Sequence, residues 1–265
     1  MQTAKVLSIA GSDSGGGAGI QADIKTGQEL GVYTTTAITA LTAQNTLGVE
    51  DVFPIPPSFL AQQLHAVLAD IGTDVIKTGM LVSDEHIRVV CEVIDKYQVK
   101  QVVVDPVMAS TSGSGFLNDS GMQQLTQTLL PRTTIFTPNI PEALRITNRE
   151  TPKTIADLKE IAVQLHQLGP SVVVLKGGHF EGDAIDVYYD GTLVELLSHE
   201  RIESNDTHGT GCTFASAIAA ELAKGQTALE AVKLGKAFIT EAIRHGLKIG
   251  SGKGPTNHAA YNQHR

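Results

Sequence analysis

Several short segments of the sequence combine residue types that could act on a small, charged substrate. Gly209-Thr210-Gly211-Cys212-Thr213 stands directly before the apolar run 214–222, which reads as a helix. Its small residues leave the first-turn N–H groups open, and those donors, with the positive end of the helix dipole, suit an anion. Cys212 would sit in that turn, where a thiol pKa is expected to fall and a thiolate could serve as base or nucleophile; a small cysteine packing helix on sheet is the alternative. Asn139 and Glu142, in Thr137-Pro138-Asn139-Ile140-Pro141-Glu142, lie one helical turn apart. Such a pair suits Mg²⁺, which keeps several waters and needs one or two carboxylates beside substrate phosphates. It also suits a helix N-cap followed by a first-turn acid. Asp105, after Val102-Val103-Val104, is a second carboxylate for the same metal or a turn residue. Lys176 ends another apolar run, with Gly177-Gly178 leaving room beside it, and would meet a phosphate as a point charge. His208 adjoins the Gly-Thr-Gly turn, whereas the other histidines show no ligand spacing.

A further segment, 11–19, carries five glycines in nine residues, which lets backbone approach a ligand closely. It matches neither the dinucleotide G-x-G-x-x-G fingerprint nor the P-loop. Asp23 follows within the next helical stretch and could face the same pocket, although a solvated helix carboxylate is commoner.

The elements that must position these residues alternate along the chain. Strands are expected over 5–10, 34–40, 75–78, 101–105, 134–137 and 172–176. Helices are expected over 17–30, 59–70, 85–97, 119–130, 154–168, 209–224 and 228–246. Strand–helix alternation is the pattern of βαβ units around a parallel sheet, and the nearly unbroken apolar strands fit a sheet covered on both faces. Thr154-x-x-Asp157 and Thr227-x-x-Glu230 have capping-box form, and Gly31, Gly169 and Gly225 fall where helix ends favour a left-handed residue. After Lys176 the runs shorten to 185–189 and 193–197 about Asp190-Gly191, which reads as an antiparallel hairpin at the sheet edge. The expected fold is therefore α/β, three layers, with a mostly parallel central sheet and a small antiparallel edge element. No repeat or Pro/Ser-rich linker divides the chain, so residues 1–265 are read as one domain.

In such sheets ligands bind beyond the carboxyl ends of the strands, where the segments above fall. Composition narrows the partners. With 28 acidic and 20 basic residues the formal net charge is −8, which offers no footprint for nucleic acid or an anionic membrane. No apolar run is long enough to span a bilayer. Two cysteines, Cys91 and Cys212, are too few for a disulfide framework, and a reducing cytosol fits best.

Eight segments, taken in order, resemble one family across the whole chain: 10–25 (AGSDSGGGAGIQADIK), 39–49 (TALTAQNTLGV), 76–80 (IKTGM), 104–108 (VDPVM), 137–143 (TPNIPEA), 175–179 (LKGGH), 207–217 (THGTGCTFASA) and 254–258 (GPTNH). Together they are similar to the bacterial hydroxymethylpyrimidine and phosphomethylpyrimidine kinases of thiamine biosynthesis, in the ribokinase-like superfamily. The resemblance implies a homodimer, ATP with Mg²⁺ as donor, and two successive phosphorylations of 4-amino-5-hydroxymethyl-2-methylpyrimidine. It implies Cys212 as catalytic base and Gly209, Thr210 and Gly211 as the anion hole for the transferring group. It implies Gln44 and Gly11 as pyrimidine contacts, with Asp23, Met80 and Val107 near the ring. Asn139 and Glu142 match a metal- and phosphate-binding motif, Asp105 and Lys176 would flank the triphosphate, and His208 would shape the nucleotide side.

The chain departs from that pattern twice. Residues 109–115 carry no basic residue where a lysine is expected, and Asn205-Asp206 stands where relatives often carry lysine, so one nucleotide contact is lost or supplied elsewhere. Two other readings compete. A pyridoxine or pyridoxal kinase would use the same scaffold, and Gln44, whose amide can pair with adjacent donor and acceptor edges of an aminopyrimidine, favours the pyrimidine. A non-catalytic ligand-binding protein could also retain the scaffold.

Overall fold

The computed structural model describes residues 3–108, 117–178, 180 and 184–264. In chain order the strands are β1 (Lys5–Asp13), β2 (Tyr33–Asn45), β3 (Gly48–Pro54), β4 (Val75–Thr78), β5 (Val102–Val104), β6 (Ile135–Phe136), β7 (Val172–Leu175), β8 (Ala184–Tyr189) and β9 (Val194–His199). The helices are α1 (Gly19–Glu29), α2 (Pro57–Asp70), α3 (Asp84–Tyr97), α4 (Asp119–Gln124), α5 (Ile140–Thr147), α6 (Ile155–His166), α7 (Thr210–Ala223), α8 (Ala228–Arg244) and α9 (Ala260–Gln263).

The strands form one sheet in the order β3-β2-β1-β4-β5-β6-β7-β8-β9. From β2 to β7 every neighbour is parallel, while β3 pairs antiparallel with β2 and β8 and β9 add antiparallel strands at the far edge. Period-two alternation divides the strand residues between two cores. Leu7, Ile9, Ile76, Val104, Phe136 and Val173 pack under α2, α3, α5 and α6. Val6, Val75, Val103, Ile135, Val172 and Val174 pack under α7 and α8. Strands buried on both faces need no polar residue, and Val102-Val103-Val104 is buried throughout.

The expected α/β/α order and the edge hairpin are present, and the differences are local. Strand β1 continues to Asp13 and β2 to Asn45, which makes room for β3 and gives the sheet an antiparallel strand at both edges. The polar stretch around Thr42 concealed that extension, because its backbone pairs with β1 and β3 while residues 41–45 stay exposed or half-buried, outside the apolar core. Helix α5 is a short helix absent from the sequence expectation, and the helix expected over 119–130 leaves α geometry after Gln124, through a π turn, Leu125–Leu129, to a 3₁₀ turn, Leu130–Arg132. Pro131 removes a backbone donor there. Thr154 and Asp157 form a full capping box, Thr227 caps through the Glu230 amide, and Gly31, Gly169 and Gly225 all adopt positive φ. Among the described residues no helix is long and apolar enough to cross a membrane.

Candidate active site

The carboxyl ends of β1, β4, β5, β6 and β7 open onto a cavity of about 530 Å³, lined also by the start of α7. Chain order reverses beside β1, which lies between β2 and β4, and such a switch point is where open α/β sheets bind ligands. Every site residue expected from the sequence lines this cavity except Asp23.

The α7 end is built by close backbone contact. Gly209 is the N-cap of α7 in the left-handed conformation, φ 83°, and a Cβ there would stand 1.8 Å from the carbonyl oxygen of Gly17. Glycine is thus needed twice over, for its φ and for the approach of the glycine-rich loop. Thr210 N–H turns back to the Thr207 carbonyl and Thr213 N–H to that of Gly209, so among the described residues the N–H groups of Gly211 and Cys212 have no protein acceptor. A Cβ on Gly211 would lie 3.3 Å from Lys176 Nζ and 3.4 Å from Asp105 Oδ2. Lys176 and Asp105 thus lie beside the helix start that carries the two open amides, a set of groups suited to an oxyanion or phosphoryl group.

Lys176 Nζ donates to Asp105 Oδ1 at 2.8 Å. Burial works against the ammonium, but Asp105 and Glu142 outweigh it and its pKa is raised. Glu142 is buried, which pushes its carboxyl up; Lys176 opposes that and Asp105 adds to it. The helix N-cap expected of the Asn139/Glu142 pair is present. Asn139 Oδ1 accepts from Glu142 N and Glu142 Oε2 accepts from Asn139 N, a capping box at the start of α5. Glu142 Oε1 takes a longer bond, 3.5 Å, from Met108 N and lines the cavity with Asp105. Among the described residues no group of three or more His, Cys, Asp or Glu could enclose an ion. Glu142 and Asp105 instead offer two carboxylates beside an anion hole, the donor set Mg²⁺ takes when phosphates and water complete its shell.

Gly11, Met80, Val107 and Gln44 line the same cavity. A Cβ on Gly11 would lie 2.4 Å from Met80 Cε, so the absence of a side chain makes room for Met80. Val107 has φ 35°, a strained backbone for a β-branched residue. Gln44 Oε1 accepts from Thr42 Oγ1 at 3.3 Å, and its Nε2 lies 3.4 Å from His208 Nε2.

His208 lines the cavity between Gln44 and Gly209, and its Nε2 bonds Asp13 Oδ2 at 2.8 Å, where Gly17 and Ala18 N–H groups also converge. Two expectations need correction. Asp23 does not face the cavity; it is 2 % exposed, and Ser8, Lys77 and Ser216 occupy its oxygens at 2.5–3.0 Å. The Cys212 thiol is not acidified. Burial pushes its pKa up to about 11; the Lys77 ammonium lowers it, while Asp105 and Asp23 raise it further. Burial of the thiol under the sheet ends thus outweighs the help that Lys77 and a helix terminus give the thiolate. Residues 109–115 lie outside the described residues.

Sequence reasoning passed over Asp13, Lys77, Asp186 and Lys236. Lys77 was legible in principle as a lone lysine inside the apolar run Val75-Ile76-Lys77-Thr78. Asp186 and Lys236 are distant in sequence, and nothing local marks them as partners.

A family model described as phosphomethylpyrimidine kinase matches residues 13–257. The hydroxymethylpyrimidine/phosphomethylpyrimidine kinase of Bacillus subtilis (strain 168) is 47 % identical over 263 residues, covering 98 % of this chain and 97 % of that protein. The pyridoxine kinase of the same organism is 42 % identical, covering 98 % of this chain and 97 % of that one. A solved structure of the pyridoxal kinase from Staphylococcus aureus with AMP-PCP and pyridoxal superposes with a TM-score of 0.93 at 38 % identity, covering all of this chain and 97 % of that one. With a family match over residues 13–257 and 47 % identity along nearly its whole length, this chain belongs to the phosphomethylpyrimidine kinase family.

Proposed function

We propose that this chain transfers the γ-phosphoryl group of ATP to the hydroxymethyl oxygen of 4-amino-5-hydroxymethyl-2-methylpyrimidine, and then a second group to the resulting monophosphate, in thiamine biosynthesis. The observation that carries the reading is the pair of open amides at Gly211 and Cys212 beside Lys176, in a cavity that Gln44 also lines. Phosphoryl transfer needs positioning and charge stabilisation more than covalent chemistry, and this geometry offers both. Gly209, Thr210 and Gly211 frame the hole for the transferring group, Lys176 meets its charge, and Asn139 sets the turn that presents Glu142. Glu142 and Asp105 would hold Mg²⁺, which when bound neutralises phosphate charge.

Gly11, Met80, Val107 and Gln44 would seat the pyrimidine, with Thr42 Oγ1 donating to the Gln44 amide oxygen. Cys212 is the group placed to take the alcohol proton. Its thiol rests protonated at neutral pH, so this role needs a complex in which nearby cations favour the thiolate, and Lys77 is the cation already acting on it. Asp23 acts through Lys77 and not on the ring. We place the enzyme in the cytosol as one domain and as a homodimer, the assembly for which the exposed cross-strand pair Leu41 and Phe53 offers an apolar face.

A pyridoxal kinase is the second reading, favoured by the pyridoxine and pyridoxal kinase relatives. An ADP-release assay with ATP and Mg²⁺, offering the pyrimidine alcohol and pyridoxal separately and weighing the products, decides between them. Pyrimidine diphosphate is the expected end product; pyridoxal phosphate alone overturns the substrate assignment, and no ADP release with either overturns the kinase. Cys212→Ala is expected to keep the fold and lose about 10²- to 10⁴-fold in kcat.

A further inference from the structure

The antiparallel edge of the sheet reaches the cavity through an ion pair that the transfer chemistry does not use. Asp186 on β8 and Lys236 on α8 are both buried, and Lys236 Nζ lies 2.6 Å from Asp186 Oδ2. The other carboxylate oxygen, Oδ1, accepts the Gly177 N–H at 2.8 Å. Gly177 directly follows Lys176, and its backbone presses on β8 so closely that a Cβ there would stand 1.8 Å from the Ile185 carbonyl oxygen. Lys176 N–H is fixed on its other side by the Pro138 carbonyl at 2.8 Å. Its ammonium is thereby delivered to Asp105 and to the open amides of α7. The connection is contiguous: Lys236, Asp186, Gly177, Lys176, then Asp105 and Gly211.

A buried ion pair seldom adds net stability over well-packed apolar residues, so its presence calls for another role. Gly235, next to Lys236, lets α8 close on α7 at Ile218, which ties the lysine's own position to the helix that starts at the anion hole. We propose that Asp186 and Lys236 are positioning residues for phosphoryl transfer: through the Gly177 amide they hold the turn that aims Lys176 at the donor phosphates. The proposal rests on the kinase reading above. Neither residue touches a reacting atom in this scheme, and both act through Lys176.

The test measures binding of the non-hydrolysable analogue AMP-PNP with Mg²⁺ by calorimetry, beside steady-state kinetics, for the wild type, Asp186→Ala, Lys236→Met and Lys236→Arg. Asp186→Ala and Lys236→Met are expected to weaken nucleotide binding and kcat/KM for ATP by about 10- to 100-fold, as supporting partners of a site residue do, with KM for the alcohol within about twofold. Lys236→Arg, which keeps the charge, is expected to recover most of the loss. In a Lys176→Met background Asp186→Ala should change nucleotide binding by less than about twofold, because residues acting through one another are not additive.

A folded Asp186→Ala with wild-type nucleotide affinity overturns the proposal. Should Asp186→Ala fail to fold, Lys236→Met with wild-type affinity overturns it equally. Equal weakening toward both substrates, or full additivity with Lys176→Met, assigns the pair to stability and also overturns it. A wild type that binds no nucleotide overturns the kinase reading and this inference together, whereas a wild type that binds it with variants that match it overturns this inference alone.

Discussion

Lys77 Nζ and Asp23 Oδ1 lie 2.8 Å apart with side chains that are 0 % and 1 % exposed. Ser8 and Ser216 donate to the same carboxylate, which joins β1, β4, α1 and α7 at one point. Ser216 follows Cys212 by four residues on α7, so both face the same way on the helix. Burial disfavours the Lys77 ammonium, but Asp23, then Cys212 and Asp105, overcome that and hold its pKa above the ordinary lysine value. The cluster ties the first turns of α7 to β1, β4 and α1, and its Lys77 ammonium lowers the thiol's pKa.

Breaking this pair from one side leaves a buried charge without a partner. Lys77→Met or Asp23→Ala should each lower unfolding stability by about 3–5 kcal/mol, while the Asp23→Ala/Lys77→Met double variant should be less destabilised than the sum of the two. Urea denaturation followed by circular dichroism checks this; a loss below about 1 kcal/mol in both single variants would contradict it.

Neither cysteine should react readily at neutral pH. The Cys212 thiol is pushed up to about 11, and burial also raises that of Cys91. Since the thiolate is the nucleophile, iodoacetamide labelling of the free protein at pH 7.5 should be slower than for an ordinary thiol of pKa near 8.5, by roughly 100-fold. Rapid stoichiometric labelling of Cys212, mapped by peptide mass, is the result that would restore an acidified thiol.

Gly11→Ala tests the pyrimidine end. The added methyl would collide with Met80 Cε, the far end of a flexible side chain, so Met80 can swing into the cavity while the fold persists. The expected result is a KM for the pyrimidine alcohol raised about tenfold, with KM for ATP little changed, since overpacking of a shaped pocket falls on the ligand that fills it. An unchanged pyrimidine KM would place the ring elsewhere.

His258 should make the protein acid-sensitive. Burial, with Lys25 adding to it, lowers its pKa to about 4, and its Nε2 pairs with Thr213 Oγ1 at 3.0 Å beside Cys212. The folded value lies below the unfolded value near 6.5, so the native imidazole stays neutral while the unfolded chain takes up a proton. Its contribution is intact above pH 6.5, declines as pH falls from 6.5 to 4, and is fully lost below, by at most roughly 3 kcal/mol. Urea midpoints at pH 7 and pH 5 should converge in His258→Asn relative to the wild type; parallel losses would exclude His258 as the cause.

The sequence by itself determined the α/β/α alternation, because apolar strands such as Val102-Val103-Val104 and capped helices such as the one opening at Thr154 are specified by residues only a few positions apart. It also determined which segments meet at the site, since strand ends and a glycine-framed helix start are local signals that parallel topology brings to one edge of the sheet. The tertiary structure decided what each side chain does there. Asp23 turns inward because Lys77, 54 residues later, supplies the only charge that could justify its burial in that cluster. His208 is held beside the glycine-rich loop because Asp13, 195 residues earlier, accepts its ring N–H. Cys212 keeps its proton because the elements packed over it bury the thiol, which costs the thiolate more than Lys77 returns. Burial and electrostatic coupling are sums over neighbours in space, and a run of adjacent residues contains only a few of the terms.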